Sequence, residues 1–200
     1  MPLVNIRPVL AEAKAHGYAV AAFNPVDYSS MRAMVEAAEE VNAPVIIQSS
    51  TKTINYYSHE ALYGWIQEIA GDSPVPVVLH LDHGKDLDMI KKCIDTGWTS
   101  VMIDGSHLSF QENMALTREV VNFAHDFDVS VEAELGVLAG IEDEVVAERS
   151  HYTRPEEVEE FVGQTGVDSL AISIGTSHGA YKFKVKPGEE PPPLRFDILE

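Results

Sequence analysis

Asp82 and His83 stand side by side at the end of an apolar, β-branched run, VPVVLHLDHGKD (75–86), with Gly84 directly after them. Read as a buried strand that Gly84 breaks, this run presents a carboxylate and an imidazole where the strand meets solvent. A second run, SLAISIGTSHGAYK (169–182), places His178 just past its apolar part. Two histidines at the ends of two buried strands can converge on one metal ion, and the adjacent Asp82 can then move a proton. Imidazole ligation with an open position suits catalytic zinc, which polarises a carbonyl or stabilises an enediolate. Such sites usually have about three protein ligands. A third donor is therefore expected either beyond residue 200 or from a carboxylate of this chain.

Asp104 and Glu134 sit at the ends of two neighbouring predicted strands. Buried carboxylates need partners. They either orient the histidines by hydrogen bonding or provide a second metal position. His80 precedes Asp82 by two residues and shares its strand face, which suits packing or hydrogen bonding beneath the site. His16, His59, His125 and His151 belong to no comparable pattern and read as surface or loop residues. Gly179 and Lys182 adjoin His178; a glycine lets backbone N–H approach a phosphate, and a lysine can neutralise one or stay solvated.

These groups need a frame that gathers strand ends. Apolar runs between breakers predict strands over 19–24, 44–50, 76–81, 100–105, 130–136 and 169–175. Apolar spacing of three and four predicts helices over 28–41, 58–70 (capped by Ser58), 85–97, 109–127 and 154–166, with another starting at 196. Six β-then-α units in series imply parallel strands buried on both faces. An open doubly wound sheet and a (β/α)₈ barrel both satisfy that order. Asn24, Gln48, Ser50, Asp82, His83, Asp104, Glu134 and His178 sit at the carboxyl ends of many strands, which favours the barrel. The chain then reads as one barrel domain over 1–200 supplying about six units, with the remaining units expected beyond residue 200. Residues 137–153 are longer than a connector needs and carry Glu142; a mobile lid is expected there. Residues 182–195 are proline-rich and read as extended.

Composition narrows the partners. The 200 residues are 45% hydrophobic and 23% charged, as in ordinary globular proteins. A net charge of −18 argues against nucleic acid or an anionic membrane as the main partner, while a metal and a few lysines still allow an anionic small substrate. Cys93 is the one cysteine, so no intrachain disulfide or cysteine metal cluster forms. The start, MPLVNIRPVLAEAK, lacks the apolar core of a leader, and a cytoplasmic enzyme is the expectation. No dinucleotide, P-loop or zinc-ribbon motif is present.

In order, the segments LDHG, MIDGSH, VEAELG, the long acidic loop and ISIGTSHGAYK resemble those of the class II, zinc-dependent fructose-bisphosphate aldolases, from Asn5 and AAFNP to the end of the chain. The related tagatose-bisphosphate aldolases share LDHG and GTSHG. The resemblance implies a (β/α)₈ barrel enzyme of glycolysis, dimeric or tetrameric, that cleaves fructose 1,6-bisphosphate to dihydroxyacetone phosphate and glyceraldehyde 3-phosphate. It implies His83 and His178 as zinc ligands, Asp104 and Glu134 as carboxylates of a second metal site, and Asp82 as the proton donor and acceptor for the aldehyde half. Glu142 would take the proton from the ketone. Asn24 would line the pocket, Ser50 would meet glyceraldehyde 3-phosphate, and Gly179 would meet dihydroxyacetone phosphate and help hold a monovalent cation. Two alternatives stand beside it: a Schiff-base aldolase using Lys85 or Lys182, and a metal- or sugar-phosphate-binding fragment without turnover.

Overall fold

The computed structural model describes residues 3–137, 140–142, 145–147, 151–176, 190 and 193–199, with backbone alone for 140–142 and 145–147. In chain order its elements are α1 (Ile6–His16), β1 (Ala21–Phe23), α2 (Tyr28–Glu40), β2 (Val45–Ser50), α3 (Thr51–Tyr57) and α4 (His59–Ala70). Next come β3 (Val77–Gly84), α5 (Leu87–Thr96), β4 (Ser100–Ile103), α6 (Phe110–His125) and β5 (Ser130–Leu135). The order ends with β6 (Gly140–Glu142), β7 (Val145–Ala147), α7 (Pro155–Thr165), β8 (Ser169–Ile172) and α8 (Phe196–Leu199).

Six strands form one parallel sheet in the order β1-β2-β3-β4-β5-β8. Each strand pairs with the next of the sheet along the chain, and the order never reverses. An open doubly wound sheet reverses at a switch point and carries helices on both faces. Unreversed winding with right-handed crossovers puts the helices on one face, as in a barrel wall.

Alternation along the strands sorts the side chains. Val45, Ile47, Val77, Leu79, Leu81, Val101, Ile103, Val131 and Ala133 pack with α2 to α7 in one core that includes Met31, Ile66, Ile90, Val120 and Phe161. Each fully buried branched side chain there contributes about 1.5–3 kcal/mol of transfer energy. The alternate residues face the other way. At the amino end of that second face, Ile46 and Val78 pack under Ile6 and Val9 of α1. At its carboxyl end the side chains become polar.

Helix starts follow local chemistry. Asn5, Asp27, Ser50, Ser58, Asp86 and Ser109 each accept a backbone N–H from the first turn they precede. Ser109 and Glu112 form a reciprocal capping box, and Pro155 opens α7.

Several expectations are corrected. Helices α1 and α3 were not anticipated. The β1 strand is shorter than 19–24. β3 runs on through Gly84 instead of breaking before it, and it pairs with β4 through a register shift between Leu81 and Gly84. Gly84 is required by packing rather than by strand termination: a Cβ there would lie 2.6 Å from the Met102 carbonyl oxygen and 2.7 Å from Leu81. β8 stops at Ile172 because Ser173 turns to residue 153. Its N–H donates to Thr153 Oγ1 at 2.7 Å, and its carbonyl accepts from Thr153 N at 3.0 Å. The described part of 137–153 is not structureless: β6 and β7 pair antiparallel, and Val137 bridges His151.

Candidate metal and acid site

The bulge in β3 solves a geometric problem. Strict alternation would send Asp82 and His83 to opposite faces. His83 takes a left-handed backbone conformation (φ 50°) in the register shift, so both residues serve the same end of the site. A non-glycine residue in that region is strained by roughly 1–3 kcal/mol and persists where its surroundings over-determine it.

Those surroundings are two neighbouring strands. His83 Nδ1 lies 3.0 Å from Asp104 Oδ2 and 3.6 Å from Glu134 Oε2. Asp104 follows β4, where its N–H donates to the Gly84 carbonyl at 2.8 Å. Its Oδ1 accepts from Ser106 N at 3.0 Å and Ser106 Oγ at 2.7 Å. Burial alone would raise the Asp104 pKa, but hydrogen bonds from His83 and Ser106 hold it down at about 2. Glu134 is the penultimate residue of β5 and is buried, with Asn113 Nδ2 donating to its backbone carbonyl at 2.8 Å.

Asp82 sits on the other side of the ring, with Oδ1 3.9 Å from His83 Nε2. A directed chain fixes its carboxylate: Gln48 Nε2 donates to Asn24 Oδ1 at 2.9 Å, and Asn24 Nδ2 donates to Asp82 Oδ2 at 2.7 Å. Asn24 was expected to line the pocket; here it grips the candidate acid. Ser50 pairs in register with Asp82, and its hydroxyl caps α3 through Thr53 N at 3.4 Å.

One rung lower, His80 is buried, with Nδ1 2.8 Å from Ser100 Oγ and Nε2 3.5 Å from Glu132 Oε2. This matches the expectation of hydrogen bonding beneath the site. Burial and then the neighbouring His83 push the His80 pKa down to about 3. Burial and then the Asp82 charge push Glu132 up to about 7, against the pull of His83. Sequence reading missed Glu132. The signal was the alternation in VEAEL (131–135), which puts Glu132 and Glu134 on one face.

His178, Gly179 and Lys182 lie outside the described residues. Glu142 ends β6, and its side chain lies outside the described atoms. His59 and His125 are not bystanders: His59 stacks edge-on to Trp98, and His125 Nε2 meets Asp168 Oδ2 at 2.8 Å.

Three ligand atoms, one each from His83, Asp104 and Glu134, lie within 4.8 Å of one another, which fits a divalent cation. The donor chemistry agrees: one imidazole and two buried carboxylates form a nitrogen–oxygen set that suits zinc or a similar borderline ion. Held ionised, Asp104 favours positive charge beside it.

The comparisons converge on the same chemistry. The family model described as "Fructose-bisphosphate aldolase class-II" matches residues 4–200. The fructose-bisphosphate aldolase of Treponema pallidum is 48% identical over 98% of this chain and 64% of its own length. That of Staphylococcus aureus (strain Mu50) is 44% identical over 94% of this chain and 67% of its own. The chain thus spans about two thirds of these relatives. Among solved structures, the YdjI aldolase from Escherichia coli K12 superposes with a TM-score of 0.79 at 37% identity, covering 88% of this chain and 64% of that one. The fructose-bisphosphate aldolase from Campylobacter jejuni gives 0.78 at 28% identity, covering 97% and 61%. With its unreversed parallel sheet and its histidine–carboxylate cluster at the strand ends, the chain belongs to the class II fructose-bisphosphate aldolase family.

Proposed function

We propose that this chain carries the metal-and-acid half of an aldolase that reversibly cleaves fructose 1,6-bisphosphate to dihydroxyacetone phosphate and glyceraldehyde 3-phosphate. The observation that carries the reading is the placement of Asp82, His83, Asp104 and Glu134 at one end of three adjacent strands, with His83 between its carboxylate neighbours. Zinc is the proposed ion. When bound, it draws electron density from the substrate carbonyl and its neighbouring hydroxyl, which acidifies the adjacent carbon.

The residues divide the remaining work. His83, with His178, holds the ion. The Asp104–Nδ1 contact is that of a carboxylate orienting a candidate ligand histidine and fixing its tautomer. Asp104 and Glu134 also suit a second divalent position. Asp82 transfers the proton at the aldehyde oxygen. The Gln48–Asn24 chain holds the Asp82 carboxylate in place, and positioned proton transfer typically contributes about 10²–10⁴-fold. Glu142 takes the proton from the ketone half, with the β6–β7 ribbon as its carrier. Asn24 lines the pocket, and Ser50, Gly179 and Lys182 meet the phosphates, with Gly179 beside a monovalent cation.

The eight-strand barrel, the homodimer or homotetramer, the cytoplasmic location and the place in glycolysis belong to this same reading. Among the described residues no helix is long and apolar enough to cross a membrane. Tagatose 1,6-bisphosphate is the competing substrate, since the two sugars have the same groups and differ only in configuration at C4, whose hydroxyl loses its proton as the C3–C4 bond breaks. The test is coupled cleavage of both sugars before and after chelation. Metal-dependent cleavage restored by zinc supports the proposal. Chelator-resistant activity trapped by borohydride would replace it with Schiff-base chemistry at a lysine.

A further inference from the structure

The strand register places a fourth carboxylate at the foot of the site. Glu132 pairs with Met102 and, by alternation, shares the face of Glu134 two residues on. Glu134 lies two residue steps, about 6.6 Å, further along the strand, so the Glu132 side chain would have to swing upward to reach the cluster formed by His83, Asp104 and Glu134. It does not. Its Oε2 lies instead toward β3, 3.5 Å from His80 Nε2. His80 is itself locked, buried at 2% exposure with Nδ1 2.8 Å from Ser100 Oγ.

We propose that His80, anchored by Ser100, is a positioning residue that holds Glu132 outside the metal donor set. This rests on the metal site proposed above. An additional carboxylate on the ion would fill the open position that substrate needs and would quench its positive charge. The device is a buried imidazole with one nitrogen on a hydroxyl and the other on the carboxylate to be restrained.

The role makes a prediction of unusual sign. Losing an ordinary outer-shell partner of a metal site typically weakens metal affinity by about 10–100-fold. Here, His80→Asn keeps a group at the Nδ1 position for Ser100 and removes the reach to Glu132. Freed, Glu132 joins the ion, and Zn²⁺ affinity of the full chain should rise by about fivefold or more, roughly one kcal/mol. The Co²⁺ adduct should show the weaker visible absorption of a higher coordination number. His80→Gln, which reaches Glu132 from the Nε2 position, should restore the parent behaviour. Glu132→Gln alone should leave Zn²⁺ affinity within about twofold of the parent and should cancel the gain when combined with His80→Asn.

Unchanged or weakened Zn²⁺ binding in His80→Asn overturns the proposal. So does a tenfold or greater loss in Glu132→Gln alone, because Glu132 would then be a ligand; this second variant decides the matter if the first fails to fold. A parent chain that binds neither ion sinks the metal reading itself, which separates the two failures.

Discussion

The two ends of the inner face of the sheet are built on opposite electrostatic principles. At the amino end, one carboxylate has its partners supplied by the fold. Asp168 is 9% exposed and accepts from Val131 N at 2.8 Å and Arg7 Nη1 at 3.4 Å, with His125 Nε2 at 2.8 Å. Arg7 also pairs with Asp128, and Asn5 donates to the Asp128 carbonyl at 2.7 Å. Below them α1 plugs the face with Ile6 and Val9. At the carboxyl end, one imidazole meets carboxylates from two strands, and a third carboxylate stands beside it on its own strand. The first end consumes charge within the chain to hold α1, α6 and β8 together. The second concentrates negative charge where a cation completes it. Changes at the two ends should therefore separate stability from chemistry.

The largest effect is expected at the carboxyl end. Asp82→Ala should lower turnover by roughly 10²-fold or more while leaving zinc content nearly intact, because the carboxylate serves substrate rather than the ion. Metal analysis beside steady-state kinetics checks this. Loss of zinc in step with activity would make Asp82 a ligand and move it to the other side of the division.

At the amino end, Asp168→Ala should cost about 2–4 kcal/mol of stability, since it strands a buried N–H and uncouples Arg7 and His125. Denaturant midpoints measure it. The kinetic constants of the folded variant should stay within about twofold of the parent. A large change in kcat without a change in stability would erase the contrast.

The smallest effect is a pH slope. His80 has its folded pKa lowered to about 3 from 6.5, so the unfolded chain binds the extra proton first. Its contribution is fully present above 6.5 and is lost as pH falls toward 3. Glu132 runs the other way. Raised to about 7 from 4.5, it contributes stability that is present below 4.5 and lost as pH rises through 7. Between 4.5 and 6.5 the two slopes oppose each other, so net acid loss from this pair should concentrate below 4.5. Unfolding of the metal-free protein across that range, with and without His80→Asn, shows whether the low-pH slope belongs to His80.

Much of this was legible in the residues, for reasons that also explain the gaps. β2 to β5 are apolar runs bounded by breakers, so their existence and order could be read directly. Asp82, His83 and Asp104 are legible because each follows such a run, and Glu134 because it stands near the end of the strand that follows α6. α1 is not legible in the sequence because its partner, the inner face at Ile46 and Val78, exists only in three dimensions. α3 begins directly at the end of β2 and is rich in Thr, Asn and Tyr, so nothing local separates it from a loop. The β3 bulge was invisible for a deeper reason. It depends on Gly84 packing against the Met102 carbonyl, a contact between strands, and strand-end reasoning placed both Asp82 and His83 correctly for the wrong cause. Glu132 is masked in the sequence by Glu134, which stands two residues nearer the strand end.

Anomalous diffraction from crystals of the full chain grown with zinc tests the central claim most directly. The account predicts a peak with a His83 ring nitrogen about 2.0–2.1 Å away, and with Asp104 or Glu134 in contact with the ion or with that ring. A zinc peak on other residues, with His83 still hydrogen-bonded to Asp104 and no density beside its ring, would contradict it.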